Sequence, residues 1–158
     1  MCLEQSERNG NNNGNCYRLW SECTNCKGRN NKVYWKKRLG KFKDFGSTDP
    51  IYANVAIEVA EAVACGDFDR GILICGTGIG VSIAANKVKG AYAALISDIY
   101  SAKRARLSND ANIVCLGAFT IGSKLREELI EAFLTNEFEP GCPSQPKVNV
   151  FRKYDLER

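Results

Sequence analysis

The chain has 158 residues, 44% of them apolar and 25% charged, which suits one domain with its own core, and no apolar run approaches the ~20 residues of a membrane helix. It contains no histidine, which excludes a Ser-His-Asp triad, a histidine general acid and every histidine-containing zinc site. The net charge of +4 divides unevenly: residues 1–43 hold ten Lys or Arg against three Asp or Glu and the remainder twelve against fifteen, so the basic excess does not make the main domain a nucleic-acid binder.

Residues 1–40 differ in kind from the rest. They hold eight Asn by position 31, with Gly, Arg and Lys between them, and show neither helical nor strand periodicity. This composition predicts disorder or poor packing. No apolar signal-peptide core opens the chain, so a cytoplasmic protein is expected, and its eight cysteines read as reduced thiols. Cys23 and Cys26 form a C-x-x-C pair, but Cys16 and Cys2 do not supply a second pair at zinc-site spacing. No metal and no cofactor are expected.

From residue 41 the pattern becomes regular. Residues 42–45 alternate and end at Gly46, as a strand would. Asp49 and Pro50 then read as the N-cap and first turn of a helix. Ile51, Val55, Val59 and Val63 give that helix an apolar stripe, and Gly66 closes it. Residues 72–74 are a buried strand, 80–87 a helix and 91–96 the next strand. Asp98 caps a helix to about Leu107, and residues 112–116 return to strand. Leu125, Leu129 and Phe133 mark a helix over about 122–134, and residues 139–158 read as a tail with little core of its own. Alternating strands and helices predict a single-domain, three-layer α/β/α fold with a parallel, Rossmann-like sheet.

Ligands bind such sheets at the carboxyl ends of the strands, where Cys75, Ser97, Asp98 and Gly117 fall. Cys75-Gly76-Thr77-Gly78-Ile79-Gly80 places a thiol at a strand end beside a loop of three glycines. Such a loop can aim backbone N–H groups at an anion without side chains in the way. The spacing is G-x-G-x-G, and no acidic residue follows at a strand end about 20 positions on, so a dinucleotide fingerprint does not fit. A small phosphorylated or enolate-forming ligand fits better. Taken alone, Cys75 reads equally as an inert buried thiol; the loop beside it favours function. Lys103, Arg104 and Arg106 read equally as a phosphate clamp or as the wet face of a helix.

The run 75–87, CGTGIGVSIAANK, resembles the signature of the ribose-5-phosphate isomerase B family, which includes the galactose-6-phosphate isomerase subunits. Ser97-Asp98-Ile99-Tyr100-Ser101-Ala102 and Ser108-Asn109-Asp110-Ala111-Asn112 are similar to the family's next two blocks, in order and spacing, and the resemblance runs over about 43–138. It implies metal-free aldose–ketose isomerisation of a small phosphorylated sugar through a cis-enediolate. Cys75 would move the proton between C1 and C2, with Thr77 beside it. Backbone N–H groups of Gly76, Gly78, Ile79 and Gly80 would hold the enediolate oxygens. Thr77 and Asn109 would bond substrate hydroxyls, with Ser108 next to them. The family also implies a homodimer with shared sites, in which Asn109 serves the partner's Cys75, and neither a nucleic-acid nor a membrane partner.

Four departures qualify the resemblance. Ser108 stands where ribose-specific members carry a ring-opening histidine, and Phe119 where an arginine is usual. Residues 141–149, GCPSQPKVN, replace the basic motif that grips a pentose phosphate. A tetrulose 4-phosphate cannot close a furanose ring, because its 4-hydroxyl is esterified, and needs no ring-opening acid. Tyr52-Ala53-Asn54, residues 104–109 and Val148-Asn149-Val150 also look like the erythrulose-4-phosphate isomerase branch. The expected function is therefore isomerisation of erythrulose 4-phosphate to erythrose 4-phosphate. Ribose-5-phosphate isomerase B of the pentose phosphate pathway and a non-catalytic sugar-phosphate-binding subunit are the alternatives. Finally, residues 1–40 lack the family's opening strand, loop and helix; one choice of codons for residues 16–37, read in another frame, spells VIGYGANAQTAKEEITKFIGKK, which looks like them.

Overall fold

The structure is a computed structural model that describes residues 14–16, 41–43, 45 and 49–158. The remainder of 1–40, including the C-x-x-C pair and the segment that reads as strand, loop and helix in another frame, lies outside the described residues. In chain order the elements are β1 (Gly14–Cys16), β2 (Lys41–Lys43), α1 (Tyr52–Ala64), β3 (Gly71–Cys75), α2 (Ile79–Ala85), β4 (Ala93–Leu95), α3 (Ile99–Leu107), β5 (Ile113–Gly117), α4 (Ser123–Leu134) and α5 (Gln145–Glu157).

Strands β3, β5 and β4 form a parallel sheet in that order, with Gly71 opposite Ile113, Cys75 opposite Gly117 and Leu95 opposite Cys115. Every residue of β3 and β5 is buried, as continuous apolar runs predict for a sheet covered on both faces. The pleat sorts them into two cores. Ile72, Ile74, Val114 and Leu116 pack with Leu129, Ile130 and Phe133 of α4 and Ala102 and Ala105 of α3. Leu73, Cys75, Ile113 and Cys115 pack with Ala56, Val59, Ala60 and Val63 of α1 and Val81 and Ala85 of α2. This is the expected three-layer α/β/α arrangement. Strand β1 pairs with β2 in a second parallel ladder, Gly14 opposite Lys41, and contacts β3. The segment read as lacking periodicity thus contributes one short strand.

Local signals set most element ends. Helix α1 ends at Gly66, φ +83°, with Gly66 N–H bonding Val63 O at 3.1 Å and Asp67 N–H bonding Ala62 O at 3.0 Å, the paired bonds of a Schellman turn. Asp98 caps α3, its Oδ1 accepting from Ser101 N–H at 2.8 Å. Three expectations shift. The N-cap of α1 is Ile51, and Asp49 acts two residues earlier by accepting from Ile51 N–H at 2.7 Å and Asn54 Nδ2 at 2.8 Å. The α2 helix stops at Ala85, because Asn86 turns its side chain to β4, donating to Ala93 O at 2.8 Å and accepting from Ala93 N–H at 2.9 Å. That leaves β4 only three residues, bonded at its free edge by a side chain.

The largest correction is the C-terminal segment. Residues 145–157 form the thirteen-residue helix α5, with Val148 fully buried and the Tyr92 and Phe151 rings 5.4 Å apart. Asp155 is buried and accepts from Gly90 N–H at 2.7 Å, Tyr92 Oη at 3.2 Å and Arg158 Nη2 at 2.6 Å. Helix α5 shows a weak apolar stripe because polar anchors hold it in place of a hydrophobic face. Among the described residues no helix is long and apolar enough to cross a membrane.

Candidate active site

The buried run Gly71–Cys75 carries the Cys75 thiol to the carboxyl end of β3. The thiol is 6% exposed, and its Sγ accepts from Gly78 N–H at 3.1 Å, so the loop folds back over the sulfur. Gly78 makes that turn at φ +80°, where a Cβ would stand 2.6 Å from Leu95 Cδ1 and 2.8 Å from the Leu116 carbonyl carbon. Any side chain there would be strained and would collide with backbone.

The loop is locked to the adjacent strand end. Ala118 N–H bonds Cys75 O at 2.7 Å, and Phe119 N–H bonds Gly76 O at 2.9 Å. The Phe119 ring lies where a Gly76 Cβ would fall, 2.9 Å from it, and the Tyr52 phenol lies against Gly80. Two aromatic side chains therefore wall the loop. Their backbone-side partners must be glycine for them to approach so closely. Thr77 is exposed, and its Oγ1 accepts weakly from Ile79 N–H at 3.4 Å. Beneath Cys75 lies a second thiol, Cys115, fully buried, whose proton affinity burial pushes far up despite a hydrogen bond from Ser82. The accessible chemistry of this pair belongs to Cys75.

Asn109 and Ser108 are elsewhere. They close α3, just before β5 begins, at the amino end of the strands, and within one chain they are separated from Cys75 by the length of the sheet. Asn109 is exposed, its Nδ2 donating to Arg104 O at 3.0 Å, while the buried Ser108 Oγ finds no hydrogen-bond partner among the described residues. Asn109 borders a cleft of about 330 Å³ with Asn86, Ala94, Phe151, Tyr154 and Arg158. The expected site residues of the 75–87 and 108–112 blocks thus lie at opposite ends of one sheet within the chain.

Arg106 is neither a phosphate clamp nor a wet helix face. It is 3% exposed and committed to structure, its Nη1 bonding Asp110 Oδ1 at 2.9 Å and Ala111 O at 2.6 Å, its Nη2 bonding Glu137 Oε2 at 2.8 Å. Arg70 also pairs with Glu137, and Arg152 of α5 with Asp110. Burial, and then the charge of Arg106, hold the Arg70 guanidinium below its ordinary value. This network is not legible in the sequence, because its five members come from four separated stretches. Nor is the approach of Tyr52 to Gly80. Among the described residues no cluster of His, Cys, Asp and Glu is placed to hold a metal.

The model of the family described as Ribose/Galactose Isomerase matches residues 28–151, wider than the 43–138 read from the motifs. A ribose-5-P isomerase B of Listeria innocua is 47% identical over 123 residues, 76% of this chain and 82% of that protein. A D-erythrulose-4-phosphate isomerase of Pectobacterium atrosepticum is 51% identical over 107 residues, 68% of this chain and 70% of that one. Among solved structures, ribose-5-phosphate isomerase B of Clostridium thermocellum superposes with a TM-score of 0.79 at 36% identity, covering 91% of this chain and 98% of its own. That of Mycoplasma genitalium, solved with bound ribulose-5-phosphate, gives 0.78 at 32% identity, covering 92% and 98%. The chain belongs to the ribose/galactose isomerase family and is a sugar-phosphate aldose–ketose isomerase.

Proposed function

We propose that the chain interconverts erythrulose 4-phosphate and erythrose 4-phosphate, with Cys75 as the proton-transfer base. The observation that carries the substrate choice is the absence of histidine from all 158 residues, since a four-carbon 4-phosphate has no furanose ring to open. Ser108 at the ring-opener's position and Phe119 beside the glycine loop support it. So do two D-erythrulose-4-phosphate isomerases, of Mycolicibacterium smegmatis and Pectobacterium atrosepticum, at 48% and 51% identity.

The mechanism follows from the loop. The Cys75 thiolate takes a proton from C1 of the ketose and leaves a cis-enediolate. The N–H groups of Gly76, Gly78, Ile79 and Gly80 stabilise its oxygens as charge develops there. The thiol then returns the proton to C2, and a proton passes between O1 and O2 to give the aldose. Thr77 and Asn109 bond substrate hydroxyls. Because Asn109 lies at the other end of the sheet from Cys75 of its own chain, it would serve the partner's Cys75 in a homodimer. The exposed Ile79, Ile83, Leu95 and Tyr100, which flank the loop, offer the apolar surface for that contact.

The Listeria relative, which this chain matches over 82% of its length, favours ribose 5-phosphate as the second reading. Parallel kcat/KM measurements on erythrulose 4-phosphate and ribose 5-phosphate separate the two. Higher efficiency on the pentose would sink the tetrose assignment, and Ser108→His should raise pentose activity if it stands. Residues 41–138 form the catalytic domain in this reading, and 1–40 a frame-altered segment that adds nothing to catalysis. Replacing residues 16–37 with VIGYGANAQTAKEEITKFIGKK should then raise Tm and kcat/KM together, and loss of either overturns it.

A further inference from the structure

We infer that Arg106 is a positioning residue for the substrate-facing turn 108–111, acting through Asn109. The inference rests on the reading that Asn109 meets substrate.

The turn is held by few backbone means of its own. Asp110 occupies left-handed backbone space at φ +48°, which an aspartate tolerates but does not prefer. Two backbone bonds close the helix end around it, Asp110 N–H to Arg106 O at 3.2 Å and Ala111 N–H to Ala105 O at 2.8 Å. Side chains supply the rest: Asn109 Nδ2 bonds Arg104 O at 3.0 Å, Arg152 pairs with Asp110, and three bonds come from the Arg106 guanidinium. One of its nitrogens holds both the Asp110 carboxylate and the Ala111 carbonyl, on the two peptides that follow Asn109. Its other terminal nitrogen ties the turn to Glu137 beyond α4, which also receives Arg70 from the start of β3. Arg152 of α5 grips the second oxygen of Asp110. The exposed side chain of Asn109 therefore sits on a turn that the buried Arg106 fork ties to Glu137 and that Arg152 ties separately to α5.

A planar fork makes these bonds at fixed angles, whereas a lysine supplies the charge at a single point and cannot reach all three acceptors. Arg106→Lys should therefore keep the ion pair but loosen the turn. A group that only holds the fold would lower Tm and leave the kinetics of the folded fraction alone. A positioning group changes how substrate is held, so KM rises while kcat moves little.

The test is a double-mutant cycle on the full chain, with kcat and KM for Arg106→Lys, Asn109→Ala and the pair, beside their melting curves. We expect Arg106→Lys to raise KM about tenfold, the scale of one hydrogen bond to substrate, and to add nothing further in the Asn109→Ala background. Additive losses, or a Tm loss with unchanged KM, would overturn the inference. Wild-type kinetics in Asn109→Ala would instead overturn the site reading beneath it. Should Arg106→Lys not fold, Glu137→Gln takes its place: the carboxylate is 69% exposed, and the same non-additive rise in KM is expected at smaller amplitude.

Discussion

The two ends of the parallel sheet are built on opposite principles. At the carboxyl end, Cys75 and the glycine loop present a thiol and backbone N–H groups, walled by Phe119 and Tyr52. At the amino end, Arg70, Arg106 and Arg152 interlock with Asp110 and Glu137, while Asp155 latches α5 to the loop before β4. One end uses polar capacity locally, within the loop and against the adjoining strand end. The other spends it on joining elements that share little apolar surface.

The sharpest break in this comparison is Cys75→Ala. It should lower kcat/KM by about a hundredfold or more, the usual contribution of a positioned general base. Exchange of solvent deuterium into C1 should vanish with it, with a modest fall in Tm because Cys75 packs in the core and its Sγ accepts from Gly78 N–H. Retained exchange would move the base to another residue. Gly78→Ala comes next and should damage both properties. Its strained φ and its collisions with Leu95 and Leu116 should cost about 1–3 kcal/mol of stability, read from denaturant midpoints, with activity falling as the loop leaves the sulfur. Wild-type stability would mean that the loop is soft, and the contrast between a shaped end and a braced end would fail.

Asp155→Ala probes the braced end. It leaves the Gly90 N–H without its acceptor, and a loss of roughly 1–3 kcal/mol is expected from the same midpoints. An unchanged midpoint would show that Val148, the Tyr92–Phe151 contact and the Arg152–Asp110 pair hold α5 without it. The smallest effect belongs to Asp98, whose bonds from Ser101 hold its carboxyl below the ordinary carboxylate range. A lowered folded-state value means that the carboxylate's contribution is present above the ordinary range and is lost as pH falls through the folded value. Asp98→Asn should therefore abolish a small decline in Tm at the acidic end, and a decline of equal size in the variant would assign it elsewhere.

The sequence by itself determined whatever depends on neighbours in the chain. Apolar runs at 72–74 and 112–116 marked strands, Gly66 and Asp98 marked helix ends, and the 75–87 block marked a glycine loop between a strand and a helix. These are local effects of backbone freedom, capping and burial, and they survive translation into three dimensions with shifts of a residue or two. Tertiary structure alone decided what depends on distant partners. It turned residues 145–157 from an apparent tail into a docked helix, because Asp155 finds Gly90 and Tyr92 some sixty residues earlier. It took Arg106 out of solvent, because Asp110, Ala111 and Glu137 surround it. And it set Asn109 at the far end of the sheet from Cys75, because parallel strands carry every βα loop to one edge and every αβ turn to the other.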